Sequence, residues 1–429
     1  MYSLKYKDIV KILLFLVFGF SVFIDMYNGY SQYYLNTQPI LPSIYKGIIL
    51  LCSIIVSLKG RIENSFKLVL LIIFIYIIHN LYWACDVASY DMKDELNFFV
   101  KISFPYFILA FMLKFKCFID FNKSMHIVTS YGIIAATSII VSFFLGIGIN
   151  SYGEIDSAFG FGTKGFFTAG NDIGVVLLMT NCILSYLYVN THKYLYLLEI
   201  LVVASGTLMI GSMTGIIGSL IIVGLIFMYI VFFPRNGFSI RQRVYLLLMG
   251  LISCGFLLYN IILIFISDAY MQSRLDKFLL GESRSSLDLA ATNSFNEFSV
   301  FNWIFGKGYT GFASDVAYNM SVSGYRLTEM DFHDVIGFYG IFLGLGLIGF
   351  SFFILLKLIK FYRRQRNPLF FWSAIAILIY MGHGFFAGHA YTSPQSSLMY
   401  IFVVFIALCH DKTGISKTNI NLHYCPKTL

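Results

Sequence analysis

Twelve stretches of about 20 mostly apolar residues divide this chain, and they constrain its fold more than any other feature. They lie near 9–24, 40–58, 68–84, 97–113, 127–149, 171–190, 194–211, 214–233, 244–267, 336–356, 369–387 and 396–410. Roughly 20 apolar residues are what a helix needs to cross a bilayer's hydrocarbon layer. Inside that layer every backbone polar group needs a partner within the protein, which leaves helices or closed barrels. Barrel strands alternate in polarity over about ten residues. Leu68-Val69-Leu70-Leu71-Ile72-Ile73 does not alternate. The sequence therefore predicts an all-α polytopic membrane protein, a single integral membrane domain over 1–429 with about twelve transmembrane helices.

Composition closes off the rival classes. Charged residues make up 12% of the chain, about half the roughly 25% found in soluble domains. A water-soluble fold and a disordered chain are both excluded. The net charge of +8 sits in short basic clusters between apolar runs. That is a membrane-topology pattern, and no nucleic-acid partner is expected. Seven cysteines form no Cys-x-x-Cys pair. They read as packing residues or inert thiols rather than a disulfide framework.

Lys and Arg placement orients the spans. With the amino terminus inside, 21 of the 30 basic residues fall on the inner side and 9 on the outer. This bias puts both termini in the cytoplasm of a multi-pass cytoplasmic-membrane protein. Asp25-Met26-Tyr27 follows the first run in place of a small-residue cleavage site, so that run reads as an uncleaved anchor.

One long polar stretch, about 268–335, falls outside, between spans nine and ten. Loops of this length are functional or disordered. Phe295, Phe298, Trp303, Tyr309 and Phe312 supply enough apolar surface for it to fold. Leu287, Ala290, Ala291, Phe295 and Phe298 share one face of a helix over 283–300.

The scarce outer charges mark where chemistry can sit. Arg284 carries a planar fork of donors that fits phosphate oxygens; a weak surface pair with Glu282 or Asp288 is the plainer alternative. Glu329-Met330-Asp331-Phe332-His333-Asp334 stands at the mouth of the tenth span. In a helix, Glu329 and His333 share one face and Asp331 and Asp334 another. Such a set suits proton abstraction or sugar binding, and equally a helix start that favours acidic residues. Lys164, in Gly160-Phe161-Gly162-Thr163-Lys164-Gly165-Phe166-Phe167, suits a diphosphate as a point charge; a flexible hairpin is the alternative. His383 and His389 are six apart, which matches no zinc spacing. No metal is expected, and the two histidines read as a polar lid over a cavity. The runs hold few internal polar groups, such as Asn80, Asn181, Glu199 and Asn260, which argues against a proton-coupled transporter.

Four stretches carry a family resemblance. They are Thr163-Lys164-Gly165-Phe166-Phe167-Thr168-Ala169-Gly170-Asn171, Gly211-Ser212-Met213-Thr214-Gly215, Arg284 through Phe305-Gly306-Lys307-Gly308, and Glu329-Met330-Asp331 before a Tyr339-Gly340-rich span. In this order they resemble the O-antigen ligase/polymerase-like superfamily, most closely its capsular and exopolysaccharide repeat-unit polymerases. The resemblance covers about half the chain. It implies a membrane glycosyltransferase that moves a glycan from a polyprenyl diphosphate to a sugar hydroxyl on another lipid-linked repeat. It implies no cofactor, and partners among membrane lipid, a flippase and chain-length regulator proteins. Arg284 becomes the first choice as diphosphate clamp, with Arg274, Arg326 and Lys164 behind it. Glu329, Asp331 and His333 become the base or sugar-binding groups. A ligase of the same superfamily and a non-enzymatic lipid-linked glycan flippase are the rivals. A single cysteine at positions 285–330 of a cysteine-free chain is expected to react with impermeant maleimide in intact cells. Protection until lysis would place this stretch in the cytosol.

Overall fold

The computed structural model describes residues 2–59, 62–86, 90–151, 162–232, 239–245, single positions between 247 and 259, and 285–409. Helix α1 (Tyr2–Leu14) passes through a π-helical stretch (Phe15–Phe20) into α2 (Ser21–Tyr34). There follow α3 (Leu41–Leu58), α4 (Asn64–Asp86), α5 (Met92–Lys114), α6 (Phe121–Leu145), α7 (Gly170–Thr191), α8 (Tyr194–Ile210) and α9 (Met213–Phe232). Three short helices, α10 (Ser285–Asn296), α11 (Val300–Phe305) and α12 (Gly308–Asn319), form a cap. The chain then enters α13 (Asp331–Gln365), α14 (Pro368–Phe386) and α15 (Pro394–Cys409). Among the described residues the only β pairing is an isolated bridge between Asn150 and Thr163.

Eight of these helices are long and apolar enough to cross a membrane. Three more apolar helices, Tyr194–Ile210, Met213–Tyr229 and Pro394–Cys409, are shorter. The expected run near 244–267 lies mostly outside the described residues. Among the described residues the expected twelve are thus eight full-length helices and three short ones. The first run also extends further than its hydropathy suggests. One apolar helix covers Lys7–Tyr34, and Asp25 sits inside it, 2% exposed. The five described cysteines are free thiols.

Helix starts follow local chemistry. The Asp91, Asp120, Ser299 and Asn367 side chains each accept a first-turn N–H, which satisfies donors that a helix start leaves open. Helix α7 is the centre of the bundle, buried continuously from Ile173 to Val189. Small residues let its neighbours approach. A Cβ on Gly132 would lie 2.3 Å from Thr180 Oγ1, and one on Gly206 would lie 2.8 Å from the Ala136 Cα.

Helix α13 is broken at Gly340, whose φ is 68° and ψ is −173°. Past the break the two pieces fold together: a Cβ on Gly344 would meet Val335 O at 3.0 Å. The break interlocks with the cap. A Cβ on Gly340 would strike Ile304 O at 2.3 Å, and one on Gly306 would strike Phe338 O at 2.3 Å. The Lys307 N–H donates to Gly337 O at 2.9 Å between them. The aromatic residues expected to order this region do pack: Phe295 stacks on Trp303 with centroids 5.3 Å apart and reaches Phe312 at 5.1 Å. By contrast, Gly346 and Gly349 face open space, so the glycines of this span are not one packing stripe. Gly206→Val should lower the melting temperature in detergent through overpacking against α6, at a cost of about 1–3 kcal/mol; Gly349→Val should leave it unchanged.

Candidate functional site

The polar groups gather at one end of the bundle, where three connections and the cap meet. The first connection is the strap 162–169 before α7. Lys164 N–H donates to Ile149 O at 2.9 Å, Ile149 N–H to Gly165 O at 2.7 Å, and Thr163 N–H to Met209 O at 2.9 Å. Gly29 of α2 lies so close that a Cβ there would be 2.1 Å from Phe166 O. The strap is therefore fixed to α2, to the chain just past α6 and to α8, where a flexible hairpin was the alternative. The Lys164 ammonium donates to Thr168 O at 2.7 Å. Burial lowers its pKa, and the Asp172 carboxylate works against that shift.

The second connection is the turn 327–334. The expected helical face of Glu329 and His333 does not form. Glu329 precedes the helix with a φ of 58°, because α13 begins at Asp331. Its carboxylate accepts from Arg326 at 3.0 Å, so these two predicted residues neutralise one another. Asp331 is 1% exposed. Its Oδ1 accepts the His389 N–H at 2.7 Å and its Oδ2 the Tyr391 N–H at 2.9 Å. Asp334 Oδ1 accepts the Thr328 N–H at 2.9 Å and hydroxyl at 2.8 Å. Both aspartates thus serve as anchors for irregular backbone.

The third connection is the turn 387–393 between α14 and α15. His389 has a φ of 64°, and Gly388 one of 68°. A Cβ on Gly388 would sit 2.3 Å from Glu329 O, so the second and third connections are pressed together. His383, one turn below in α14, is 4% exposed.

His333 points elsewhere, toward the cap. Its Nε2 lies 3.7 Å from Asp288 Oδ1 in the first turn of α10, and its ring packs on Phe295 at 5.9 Å. Asp288 follows Arg284 by four positions. Arg284 and Arg274 lie outside the described residues. Of the predicted groups, Lys164, Glu329, Asp331 and His389 share one neighbourhood, Arg326 joins it through Glu329, and His333 faces the cap helices.

Sequence reasoning missed three acids here, Asp25 and Glu95 buried and Asp172 partly so. Asp25 accepts from Lys46 Nζ at 3.1 Å and from the Tyr131 hydroxyl at 2.9 Å, which ties α2, α3 and α6. Glu95, 1% exposed, accepts from Thr310 N–H at 2.9 Å and the Tyr76 hydroxyl at 3.0 Å. Asp172 stands in the first turn of α7, with His389, Asp25 and Lys164 near enough to act on its carboxyl through their charge. It is the only charged residue between 171 and 190, a signal that would have found it.

Beside this end, an apolar cavity of about 390 Å³ opens between α4, α5, α13 and α15. Tyr76, Phe99 and Tyr339 line it near the cap, and Leu113, Phe350 and Leu408 line its far part. From Phe99 to Leu113 the α5 wall rises about 21 Å at ~1.5 Å per residue. No group of three or more His, Cys, Asp or Glu side chains placed to hold a metal ion occurs among the described residues. No family model matches the chain, and no curated protein matches it in sequence.

Asp331→Ala would strip acceptors from the buried Tyr391 N–H, at about 1–3 kcal/mol, and from the part-buried His389 N–H. The variant should melt lower in detergent and give less folded protein; Asp331→Asn, which keeps one acceptor oxygen, should fall between it and the parent. An unchanged melting curve for Asp331→Ala would remove the anchoring role.

Proposed function

We propose that the chain is a polysaccharide polymerase of the cytoplasmic membrane. It transfers a glycan from a polyprenyl diphosphate to a sugar hydroxyl of another lipid-linked repeat unit on the outer face. In this reading both termini are cytoplasmic, and the run near 244–267 and the three short helices complete twelve spans. The polar end faces outward, and α10–α12 belong to the external loop.

The observation that carries the proposal is one juxtaposition. Fixed cationic, acidic and imidazole groups crowd one end of an otherwise apolar helical bundle, next to a greasy cavity long enough for a lipid chain. Such a layout suits a substrate with a charged head and a hydrocarbon tail. The diphosphate is itself the activated leaving group, so the reaction calls for no nucleotide. As the bond from sugar C1 to the diphosphate breaks, negative charge builds on the departing oxygen, and preorganised cationic donors stabilise it. Arg284 is the first choice for this clamp, with Arg274 and Lys164 behind it. Arg326 holds Glu329, so its share in phosphate binding requires that pair to open. An imidazole then takes the acceptor proton, because the Asp331 oxygens are occupied by backbone N–H groups.

A lipid-linked glycan flippase would instead need mobile charges along a central path. The buried acids found here are mostly fastened to backbone or to a neighbouring side chain, which favours an enzyme. A ligase would share the donor chemistry. Purified protein given lipid-linked repeat should yield a ladder of products; one transfer product would mean a ligase, and none would favour transport. Arg284→Ala should insert normally yet lose chain extension by about 10²–10³-fold, the usual effect of deleting one such donor. Normal polymer length at parental expression would take Arg284 out of the mechanism.

A further inference from the structure

We infer that the short helix α11 (Val300–Phe305) lies in the membrane interface, and that its partner is the bilayer surface, the lipid headgroups and upper acyl chains. This seat does not depend on the reaction the protein runs. The face begins on α4. Leu70, Phe74, Ile77, Ile78 and Leu81 are 41–60% exposed and recur on one side of that helix. On a span of this length and hydropathy such a stripe faces lipid tails, which are as apolar as leucine. Tyr82 continues it, 45% exposed. Its ring meets Phe301 of α11 with centroids 4.6 Å apart, and Phe301 meets Phe305 at 4.7 Å. Val300, Phe301 and Phe305 are themselves exposed. The lipid-facing surface thus passes from a span onto the cap.

The level at which this happens favours lipid over a protein partner. Helix α4 ends at Asp86 and Asp91 caps α5, so Tyr82 stands about 6 Å below the end of its helix. Amphipathic aromatic rings collect at that depth in membrane proteins. The composition of α11 suits the same place. No charged residue occurs from 298 to 306, and the ammonium of the flanking Lys307 is held by Asp315. The other side of α11 is occupied inside the cap, where Trp303 stacks on Phe295. One face is fixed in protein, and the other lies open beside a span that needs hydrocarbon. A second protein seated there would have to cover the end of a lipid-facing stripe and leave the rest of it to lipid; the bilayer covers both at once. An interfacial helix of this kind sinks its apolar face about 5–10 Å into the headgroup boundary. The cap is then held from two sides, by the contact of Gly306 with Phe338 and of Gly340 with Ile304 and by lipid.

Two measurements on the full-length protein in phosphatidylcholine vesicles test this. The first uses the unaltered chain and lipids that carry a carbene precursor either near the glycerol or at the acyl terminus, with adducts read by mass spectrometry. Peptides containing 300–305 should take up the shallow label more heavily than the deep one, while 70–78 of α4 should take up the deep label. Adducts with a water-soluble carbene in place of lipid adducts would put α11 in water, and adducts with neither would mean that protein covers it; either result overturns the lipid seat. The second places a nitroxide at Val300→Cys, a position 78% exposed, in a chain freed of its own cysteines. Collisions with oxygen should outnumber those with a water-soluble nickel chelate, at a depth of about 5–10 Å. Nickel-dominated collisions, or few of either kind, would count against the assignment in the same two ways. The first measurement needs no substitution and decides alone if the cysteine-free chain folds poorly.

Discussion

A backbone N–H that leaves a helix in a water-poor interior must find an acceptor, or the chain cannot turn there. In this protein buried side-chain carboxylates supply those acceptors. Asp331 holds the turn 387–393 by two N–H groups. Asp334 holds Thr328, and Glu95 holds the start of α12. Charge-assisted bonds of this kind are stronger than neutral ones. They let irregular chain sit against apolar helices and fix its shape before any substrate arrives. The end of the bundle that looks richest in reactive acids is thus largely built of fasteners.

Much of the helical framework was legible in the primary structure. Periods of about 20 apolar residues translate directly into helices, since little else satisfies a backbone in hydrocarbon. The amphipathic spacing of Leu287, Ala290 and Ala291 marks the buried face of α10. The failures have a common cause. Hydropathy sees a charge as the end of a span, so Asp25 fell outside the first run, although the helix carries it inward to meet Lys46 and Tyr131. Helical spacing assigned Glu329 and His333 to one face, although the chain takes a left-handed turn at Glu329 before the helix begins. A positive φ at a glutamate leaves no local trace in composition. The bond from Asn171 to Ala387 O joins positions 216 residues apart, which no local pattern encodes.

Buried acids in a membrane protein raise the question of transport, because intramembrane carboxylates often mark ion paths. Location and bonding support the proposed reading over transport. Asp25, Glu95, Asp172 and Asp331 cluster toward one end instead of spacing themselves across the bundle. A relay needs groups that can let go of their protons or partners, and a carboxylate gripped by backbone amides is poorly placed to do so. The same grip is useful to an enzyme, whose charged groups work best when they do not have to reorganise during the reaction.

The reciprocal contact of Gly306 and Gly340 reaches beyond packing. Each glycine lets the other's backbone pass where a methyl group could not fit, so the cap and the broken span are geared together like meshed teeth. Tyr339, next to that gear, is also part of the ceiling of the apolar cavity. A displacement of the cap would therefore be felt by whatever fills the space beneath it, and a newly seated occupant would nudge the cap in return.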